Sequence, residues 1–347
     1  MGKQRVLVTG GSGFVGTNLV ARFIERGWAV LNLDIAKPRN EEHLGLWKQV
    51  DVLDRDELTA ATQAFEPSVF LHFAARTDLD EEADLAGYAA NTQGVCNVVD
   101  AIRSTPSVGR VIFASSQLVC ELGYKPRDER DYRPTTTYGH SKAVSEMIVR
   151  AAGHMASTWI IVRPTSLWGP WFRTPYREFF AAIGRGAYVP PRGMSTLKQW
   201  GYVGNSVHQV HGLVEARAES VHGRTLYLAD YEPVQLRDFV NRVQRSLGAS
   251  PIRSVPPKLL RAVALGGDAL EKLGWGSPPL TTFRYGNIVT DELQDLEPLR
   301  EIVGSLPFTV QDGIDATVNW LEEHEALAAA RHRDPGLLKQ ERRARPA

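Results

Sequence analysis

The first half of the chain alternates short apolar runs with longer amphipathic stretches. Short apolar runs predict buried strands, whereas apolar positions spaced three or four residues apart predict helices. Strands are predicted at residues 5–9, 29–34, 48–50, 69–74, 110–115 and 159–163. Helical patterns lie near residues 14–26, 55–65, 88–103 and 138–153. Alternation of this kind predicts an α/β fold with a doubly wound parallel sheet of six strands.

The amino-acid composition changes after Arg163 and Pro164. Residues 164–204 are rich in Pro, Gly, Trp and Tyr, which predicts loops with short helices. Helical patterns follow near residues 206–219, 235–247, 256–273 and 309–323. The predicted organisation is a doubly wound domain over 1–165 with a returning segment near 200–215, a smaller mixed α/β domain over 166–330, and a flexible charged tail over 331–347.

Composition narrows the choice of partners and compartment. The 347 residues include 40 basic and 40 acidic ones, so no net charge favours nucleic acid or an anionic membrane. Two cysteines without a CxxC motif disfavour a disulfide framework or a zinc site and fit a reducing cytosol. No apolar run approaches the roughly 20 residues that span a bilayer, and the first residues do not form a signal peptide. We therefore predict a cytoplasmic protein with no metal, nucleic acid or membrane partner.

A glycine-rich turn follows the first predicted strand directly. The segment Gly10-Gly11-Ser12-Gly13-Phe14-Val15-Gly16 joins the strand to an amphipathic helix. Glycines permit a tight turn and let the backbone approach a pyrophosphate, and the helix N-terminus offers unpaired N–H groups to the phosphates. The turn and its position predict a dinucleotide site.

Two acidic residues follow the next strands. Asp34 ends the second strand, where a carboxylate can accept hydrogen bonds from the adenosine ribose hydroxyls and repel a 2′-phosphate. This position favours NAD over NADP. Asp51, with Val52, follows the third strand and is a candidate contact for the adenine. A turn residue without a ligand is the alternative for both acids.

Tyr138 and Lys142 are four residues apart on one face of a predicted helix. A tyrosine has a pKa of about 10, and a general base should titrate near 7, so about 4 kcal/mol of stabilisation of the phenolate is needed. The lysine ammonium and the positive ring of an oxidised nicotinamide can supply it. Ser116, favoured over Ser115, ends a predicted strand and can bind the reacting oxygen or, alternatively, cap a turn.

Together these motifs resemble the extended short-chain dehydrogenase/reductases, and within them the NAD-dependent epimerase/dehydratase family acting on nucleotide sugars. The resemblance rests on the segments TGGSGFVG, HFAA at 72–75, YGHSK at 138–142 and RPTSLWGP at 163–170, with Asp34, Asn91 and Ser116 between them. It covers about residues 4–323. It implies a Rossmann domain, NAD as cofactor, hydride transfer, and a homodimer formed by the helices near 88–103 and 138–153.

The resemblance also implies roles for individual residues. The pyrophosphate would be bound by Gly10, Gly13, Phe14, Val15 and Gly16, the ribose by Asp34, and the adenine by Asp51 and Val52. Phe73, Ala74, Ala75 and Arg76 would line the path of the cofactor, with Asn91, Ser115 and Pro164 beside it. Lys142 would also hold the nicotinamide ribose. The substrate would be bound by Ser116, Gln117, Ser166, Lys198 and Arg284.

Several residues differ from the family pattern, and these differences limit which reactions and substrates the resemblance implies. Nucleotide-sugar dehydratases carry an Asp-Glu pair after the catalytic Ser or Thr, where this chain has Gln117 and Leu118, so dehydration is disfavoured. Ser166 replaces an Asn that commonly binds the sugar diphosphate. Lys198 stands where Arg is usual and lacks its bidentate fork. An aromatic group comprising Trp168, Trp171, Phe172, Tyr176, Trp200 and Tyr202 could stack on a ligand or pack between domains.

The sequence is compatible with three functions. The leading hypothesis is an NAD-dependent epimerase that acts on a nucleotide sugar through Tyr138 and a transient keto intermediate. The alternative is a net NAD(P)-dependent dehydrogenase or ketoreductase of a 4-keto nucleotide sugar or a steroid-like alcohol. A non-catalytic NAD sensor is disfavoured, because Ser116, Tyr138 and Lys142 are all present.

Overall fold

A computed structural model describes residues 4–79, 84–153, 155–173, 175–274, 278 and 280–333. The strands are β1 Arg5–Thr9, β2 Ala29–Asp34, β3 Trp47–Gln49, β4 Val69–His72, β5 Arg110–Ala114, β6 Thr158–Pro164, β7 Leu167–Trp168, β8 Leu197–Lys198, β9 Gly201–Tyr202, β10 Thr225–Leu228 and β11 Val234–Gln235. The α-helices are α1 Phe14–Glu25, α2 Arg55–Phe65, α3 Ala89–Arg103, α4 Thr137–Ala151, α5 Tyr176–Gly184, α6 Val203–Glu215, α7 Ala218–Val221, α8 Leu236–Ser246, α9 Pro257–Lys272, α10 Thr282–Val289, α11 Glu297–Val303 and α12 Val310–Arg333. Short 3₁₀ helices lie at Glu41–Leu46, Leu85–Tyr88 and Gln117–Val119.

The main sheet has seven parallel strands in the order β10-β6-β5-β4-β1-β2-β3. Six of them run β3-β2-β1-β4-β5-β6, the doubly wound order of a Rossmann fold, whose reversal point lies between β1 and β4. The predicted fold class is confirmed. All carboxyl ends of these strands meet at one edge, so residues that follow β1, β2, β4, β5 and β6 share one region.

The sheet is buried on both faces, as its apolar strands require. Successive residues of β1 point to opposite sides: Val6 and Val8 pack into one core cluster, and Leu7 into the other. The first cluster contains α1, the second α2 and α3. Two packed faces hold the strand ends rigidly under the loops that follow them.

The prediction of six strands was wrong by one. β10 comes from the second half of the chain and pairs in parallel with β6, with Leu228 opposite Pro164. Its sequence, Thr-Leu-Tyr-Leu, alternates in burial and is only four residues long, so it gives a weak signal between helical patterns. α6 also returns and packs on α1. The domain limits predicted at 165 and 166 stay a prediction.

The aromatic group of the second half packs mainly in the protein interior. Trp168, Phe172 and Tyr202 are almost fully buried, and Trp168 contacts Phe180 and Phe239 with ring centroids 6.1 and 5.0 Å apart. This arrangement favours packing between elements over ligand stacking for these rings.

The closing helix begins near its predicted position and extends further, because α12 continues to Arg333. The rest of the predicted tail, residues 334–347, lies outside the described residues. Among the helices of the described ranges, none is both long enough and apolar enough to cross a membrane.

Leu228→Ala tests whether β10 is an integral strand. Leu228 is fully buried, and its truncation should lower the free energy of unfolding by about 2–5 kcal/mol. Urea denaturation measures the change. Ile24→Ala is the matched control, because this α1 side chain is 41% exposed and should cost much less. Equal losses in both variants would contradict the assignment of β10 to the core sheet.

Candidate active site

The glycine turn is held so tightly that side chains do not fit. Gly10 has a φ of 74°, and a Cβ there would lie 2.5 Å from the Ala74 nitrogen. A Cβ on Gly16 would lie 2.0 Å from the Gly10 carbonyl oxygen. α1 begins after Gly13 with no side-chain cap and no acidic residue in its first turn. The N–H groups of this helix end are therefore open to an anion, as a pyrophosphate site requires.

Asp34 lies at the end of β2 beside this turn. Its Oδ2 accepts a hydrogen bond from the Ser12 N–H at 3.0 Å, and its Oδ1 accepts one from the Ala36 N–H at 2.9 Å. Burial raises the pKa of Asp34, and these backbone donors oppose the rise. The carboxylate is thus fixed next to the helix N-terminus, which fits the ribose role implied by the resemblance.

The predicted adenine contacts lie in the loop after β3. Asp51 is exposed and accepts a hydrogen bond from the Leu53 N–H at 2.9 Å. Val52 is buried, and its carbonyl accepts a hydrogen bond from Asn97 of α3 at 2.9 Å. The Asp51 side chain therefore serves a turn, while the Val52 backbone is fixed by the neighbouring helix.

Asn91 connects the cofactor path to the catalytic helix. This side chain is fully buried; its Oδ1 accepts from the Arg76 N–H at 2.8 Å, and its Nδ2 donates to the Arg76 carbonyl at 2.9 Å. The same Nδ2 lies 2.9 Å from the Ser141 Oγ, which donates to the Tyr138 carbonyl at 2.7 Å. Asn91 thereby fixes the segment containing Phe73, Ala74, Ala75 and Arg76 against α4.

The start of α4 lies directly on the turn that carries the candidate serine. A Cβ on Gly139 would lie 2.1 Å from the Leu118 carbonyl oxygen, so only glycine allows this approach. Thr136 caps the helix by accepting from the Gly139 N–H at 3.0 Å. Ser116 Oγ accepts from the Leu118 N–H at 3.1 Å, and the Ser116 side chain is near enough to Tyr138 to lower the pKa of its phenol. The structure therefore brings Ser116 and Tyr138 together.

Burial shifts the pKa values of Tyr138 and Lys142. It raises the pKa of Tyr138 to about 12, a rise that the hydrogen bond to Ser116 opposes. Burial lowers the pKa of Lys142 to about 8, and the Glu146 carboxylate opposes this change. Lys142 is thus largely protonated at neutral pH. The protein by itself does not lower the Tyr138 pKa, so a role as base would also require a further positive charge, such as that of an oxidised nicotinamide.

Uncharged groups surround the candidate substrate position near Ser116. The Gln117 Nε2 lies 3.4 Å from the Ser166 Oγ, and Tyr176 is near enough to Ser166 for that side chain to lower the pKa of its phenol. The Gln117 Oε1 is buried without a hydrogen-bond partner. This free acceptor is available to a hydroxyl donor. Pro164, which ends β6, lies two residues before Ser166.

Three of the predicted ligands are occupied elsewhere. The Lys198 Nζ is buried and bonds to the Glu292 Oε1 at 2.6 Å, to the Thr290 carbonyl at 2.8 Å and to the Asn287 carbonyl. These acceptors satisfy its three protons, so we leave Lys198 out of the substrate site. Arg284 donates to the Pro278 carbonyl at 2.7 Å. The Ser115 hydroxyl donates to Glu146 at 2.6 Å.

Two residues of α4 that support the site, Gly139 and Glu146, were not predicted from the sequence. Gly139 and Glu146 lie in the same helix as the Tyr-Lys pair, but their roles depend on contacts with distant segments. A glycine inside a helix was the available signal for a close backbone approach at Gly139. Glu146 gave no comparable signal, because its partners Ser115 and Arg163 are 31 and 17 residues away.

The glycine turn and Asp34 lie at the same edge of the sheet as Ser116, which is close to Tyr138. The sequence profile of the NAD-dependent epimerase/dehydratase family matches residues 6–229. The chain belongs to this family, which confirms the predicted resemblance, the NAD cofactor and the enzyme class.

Curated relatives cover most of the chain. A 3-beta-hydroxysteroid dehydrogenase of Mycolicibacterium neoaurum is 29% identical over 332 residues, 89% of each chain. A 3 beta-hydroxysteroid dehydrogenase/Delta 5-->4-isomerase of Mycobacterium tuberculosis is 27% identical and covers 89% of this chain and 88% of its own. An N-acetyl-alpha-D-glucosaminyl-diphospho-ditrans,octacis-undecaprenol 4-epimerase of Escherichia coli O157:H7 is 27% identical, covering 91% and 95%.

Solved structures support the fold. A UDP-glucose 4-epimerase of Thermotoga maritima has a TM-score of 0.71 at 18% identity and covers 92% of this chain and 99% of its own. The UDP-glucose 4-epimerase of Thermus thermophilus has a TM-score of 0.70 at 21% identity with the same coverage. At these identities the likeness concerns the fold alone.

Gly16→Ala tests the pyrophosphate turn. The added Cβ would clash with the Gly10 carbonyl, so NAD should bind at least about tenfold more weakly, a loss of about 1.4 kcal/mol or more. Isothermal titration calorimetry measures the Kd. Gly45→Ala is the control, because no atom lies within 4 Å of its added Cβ. Unchanged affinity in Gly16→Ala would exclude this turn from the cofactor site.

Ultraviolet titration of the tyrosinate band tests the role of charge at Tyr138. Without NAD, burial should keep Tyr138 un-ionised through neutral pH. Saturating NAD should lower its transition by at least about two pH units, about 3 kcal/mol in favour of the phenolate. The Tyr138→Phe protein supplies the background spectrum. A transition at the same pH with and without NAD would contradict this electrostatic account.

Proposed function

We propose that the protein is a net NAD-dependent dehydrogenase, or ketoreductase in reverse, of an apolar secondary alcohol of the hydroxysteroid type. The observation that carries this choice is the buried Lys198–Glu292 ion pair. It neutralises the cation expected to bind a sugar diphosphate. The groups beside Ser116 that remain, Gln117 and Ser166, are uncharged, which suits a neutral substrate.

The curated relatives support the same choice. Two of those reported above are named as 3β-hydroxysteroid dehydrogenases and align over nearly nine-tenths of this chain. The proposed site retains Gly10, Gly13, Phe14, Val15, Gly16, Asp34, Val52 and Asn91 for the cofactor and Ser116, Tyr138 and Lys142 for the reaction.

The proposed chemistry divides the alcohol hydrogens between protein and cofactor. Ser116 donates a hydrogen bond to the substrate oxygen and orients the hydroxyl toward Tyr138. The Tyr138 phenolate takes the hydroxyl proton, and Lys142 stabilises that phenolate by its charge. NAD, when bound, supplies the acceptor for the hydride that leaves the carbinol carbon. A ketone remains, and the reverse reaction returns both hydrogens.

The nucleotide-sugar epimerase remains a second candidate. It is favoured by the Escherichia coli relative, whose name describes a 4-epimerase of an amino sugar that is joined to undecaprenol by a diphosphate. Both functions use the same Ser-Tyr-Lys set. They differ in whether reduced cofactor accumulates, since an epimerase returns the hydride to its own substrate. A homodimer through α3 and α4 belongs to either proposal.

A comparison of substrates distinguishes the two candidates. We expect NADH to accumulate in proportion to substrate oxidised when 3β-hydroxysteroids are supplied with NAD, and none with UDP-hexoses. Absorbance of NADH and chromatography of the products measure this. Epimerised sugar without net NADH would overturn the dehydrogenase proposal in favour of the epimerase.

Tyr138→Phe should lower kcat by about 10²–10⁴-fold, because the variant loses its general base but keeps the ring packing. Steady-state kinetics on the active alcohol check this. Tyr188→Phe is the matched control, because its buried hydroxyl has no hydrogen-bond partner in the described structure. If Tyr138→Phe keeps full activity, another group is the base.

A further inference from the structure

Helix α9 buries only one narrow side. Its buried residues are Leu260, Ala264 and Gly267, whose spacing of four and three residues forms a single line along the helix. This line faces the segment that leads into α10, since a Cβ on Gly267 would lie 1.9 Å from the Leu280 carbonyl oxygen. Apart from the half-buried Asp268, every other residue of α9 is exposed.

A continuous apolar stripe runs along the exposed side of α9 and its C-cap. Its positions are separated by four, three, four and three residues and therefore share one face: Leu259, Val263, Gly266, Leu270 and Leu273. The four large side chains of this stripe are 54%, 52%, 37% and 82% exposed, in chain order. Single exposed leucines are ordinary on a protein surface, whereas a contiguous apolar stripe is typical of a contact surface.

A basic edge runs along the same helix beside the stripe. Lys258, Arg261 and Lys272 are three and eleven residues apart, which places them on one line of the helix. Residues 253–273 contain four basic and two acidic residues, although the whole chain has equal numbers of both. One of these acids, Asp268, is engaged within the protein, because its Oδ1 accepts from the backbone at the start of α10 at 2.8 Å. The exposed side of α9 therefore carries an excess of positive charge.

The first cations of this edge lie where helices usually place acids. Lys258 is in the first turn of α9 and Arg261 in the second, and the first turn contains no acidic residue. Positive charge at a helix N-terminus opposes the helix dipole, so these cations are not stabilised by the helix itself. Negative charge outside the protein would compensate both the cations and the dipole. An anionic lipid surface supplies this charge directly above an apolar layer.

The length and pattern of α9 fit a helix that lies in the surface of a bilayer. Its 16 residues are fewer than the roughly 20 needed to span the hydrocarbon core. An apolar stripe beside Lys and Arg is typical of interfacial helices, whose apolar face enters the boundary of the acyl chains while the long basic side chains reach the phosphates. The neighbouring helix α10 adds the exposed Phe283, which follows the residue bonded to Asp268.

We propose that the exposed face of α9 docks the protein on an anionic lipid bilayer. The apolar stripe enters the bilayer surface, and the basic edge contacts the lipid phosphates. The proposal departs from the prediction of no membrane partner, which considered only the net charge and spanning segments. It rests on the proposed function in one respect: an apolar alcohol dissolves in bilayers, so docking brings the enzyme to its substrate.

Flotation of the full chain with lipid vesicles tests the docking, and titration with lipid measures the affinity. The protein should float with vesicles of equal parts phosphatidylglycerol and phosphatidylcholine, but not with phosphatidylcholine alone. Lys258→Glu/Arg261→Glu should weaken binding at least about tenfold, because each cation near an anionic surface contributes about a factor of five. Leu259→Gln/Val263→Gln should also weaken it at least about tenfold, because two apolar side chains no longer leave water.

Two control pairs make matched changes outside α9. Arg26→Glu/Arg217→Glu alters the net charge equally; Arg26 precedes β2 and Arg217 precedes β10, so both lie toward the amino ends of the strands, away from the candidate site. Ile24→Gln/Leu53→Gln replaces two apolar side chains that are 41% and 42% exposed. Both control pairs should bind the anionic vesicles like the unchanged protein.

The results decide the proposal in both directions. Absence of flotation with the anionic vesicles, or equal flotation with phosphatidylcholine alone, would overturn it. Unchanged binding in both α9 pairs would also overturn it, by assigning the lipid contact to another surface. If the α9 pairs instead reduce the size of an oligomer in gel filtration without lipid and the protein does not float, this face joins two copies of the chain.

Folding and substrate identity do not enter the outcome. All the substituted side chains are exposed, so each variant should keep the melting temperature of the unchanged protein. The measurement contains neither a sterol nor NAD. Failure of the proposed dehydrogenase activity would therefore leave the flotation result unaltered, and failure of flotation would leave the dehydrogenase proposal standing.

Discussion

The bidentate ion pair between Arg163 and Glu146 is the constraint on which the site depends. Both side chains are within 2% of complete burial, so the cost of removing either charge from water is offset only while the other is in place. The pair joins β6 to α4, and Ser115 brings β5 to the same carboxylate. Ser116 follows Ser115 in the chain, and Tyr138 lies in the same helix as Glu146, so this pair joins the segments that carry both residues.

The cofactor half could be predicted from sequence because its signals are local. The turn from Gly10 to Gly16 and the carboxylate of Asp34 each lie within a few residues of a strand end, and the doubly wound order then places them together. The position of Gly10 favours glycine, because its φ is positive and an added Cβ would lie 2.5 Å from the Ala74 nitrogen. Short-range constraints of this kind are visible in the order of residues.

The contacts of the second half of the chain could not be predicted from the sequence, because they join residues that are far apart in it. Lys198 looked like a ligand for a diphosphate, yet its partner Glu292 is 94 residues away, and nothing near Lys198 in the sequence indicates the pairing. β10 was not predicted for a similar reason. This four-residue strand pairs with the edge of β6, and its own sequence pattern gives only a weak signal. The same separation hides Glu146, whose donors come from three different segments.

The position of β10 also bears on how the chain reaches its native state. As a ribosome releases the chain from its N-terminus, β6 is complete by Pro164, but its neighbour in the sheet ends at Leu228. During that interval the edge of β6 exposes unpaired backbone groups next to an apolar face. The sheet of the nascent Rossmann half is therefore incomplete until the chain has extended into the second region as far as Leu228, which couples the folding of the two halves.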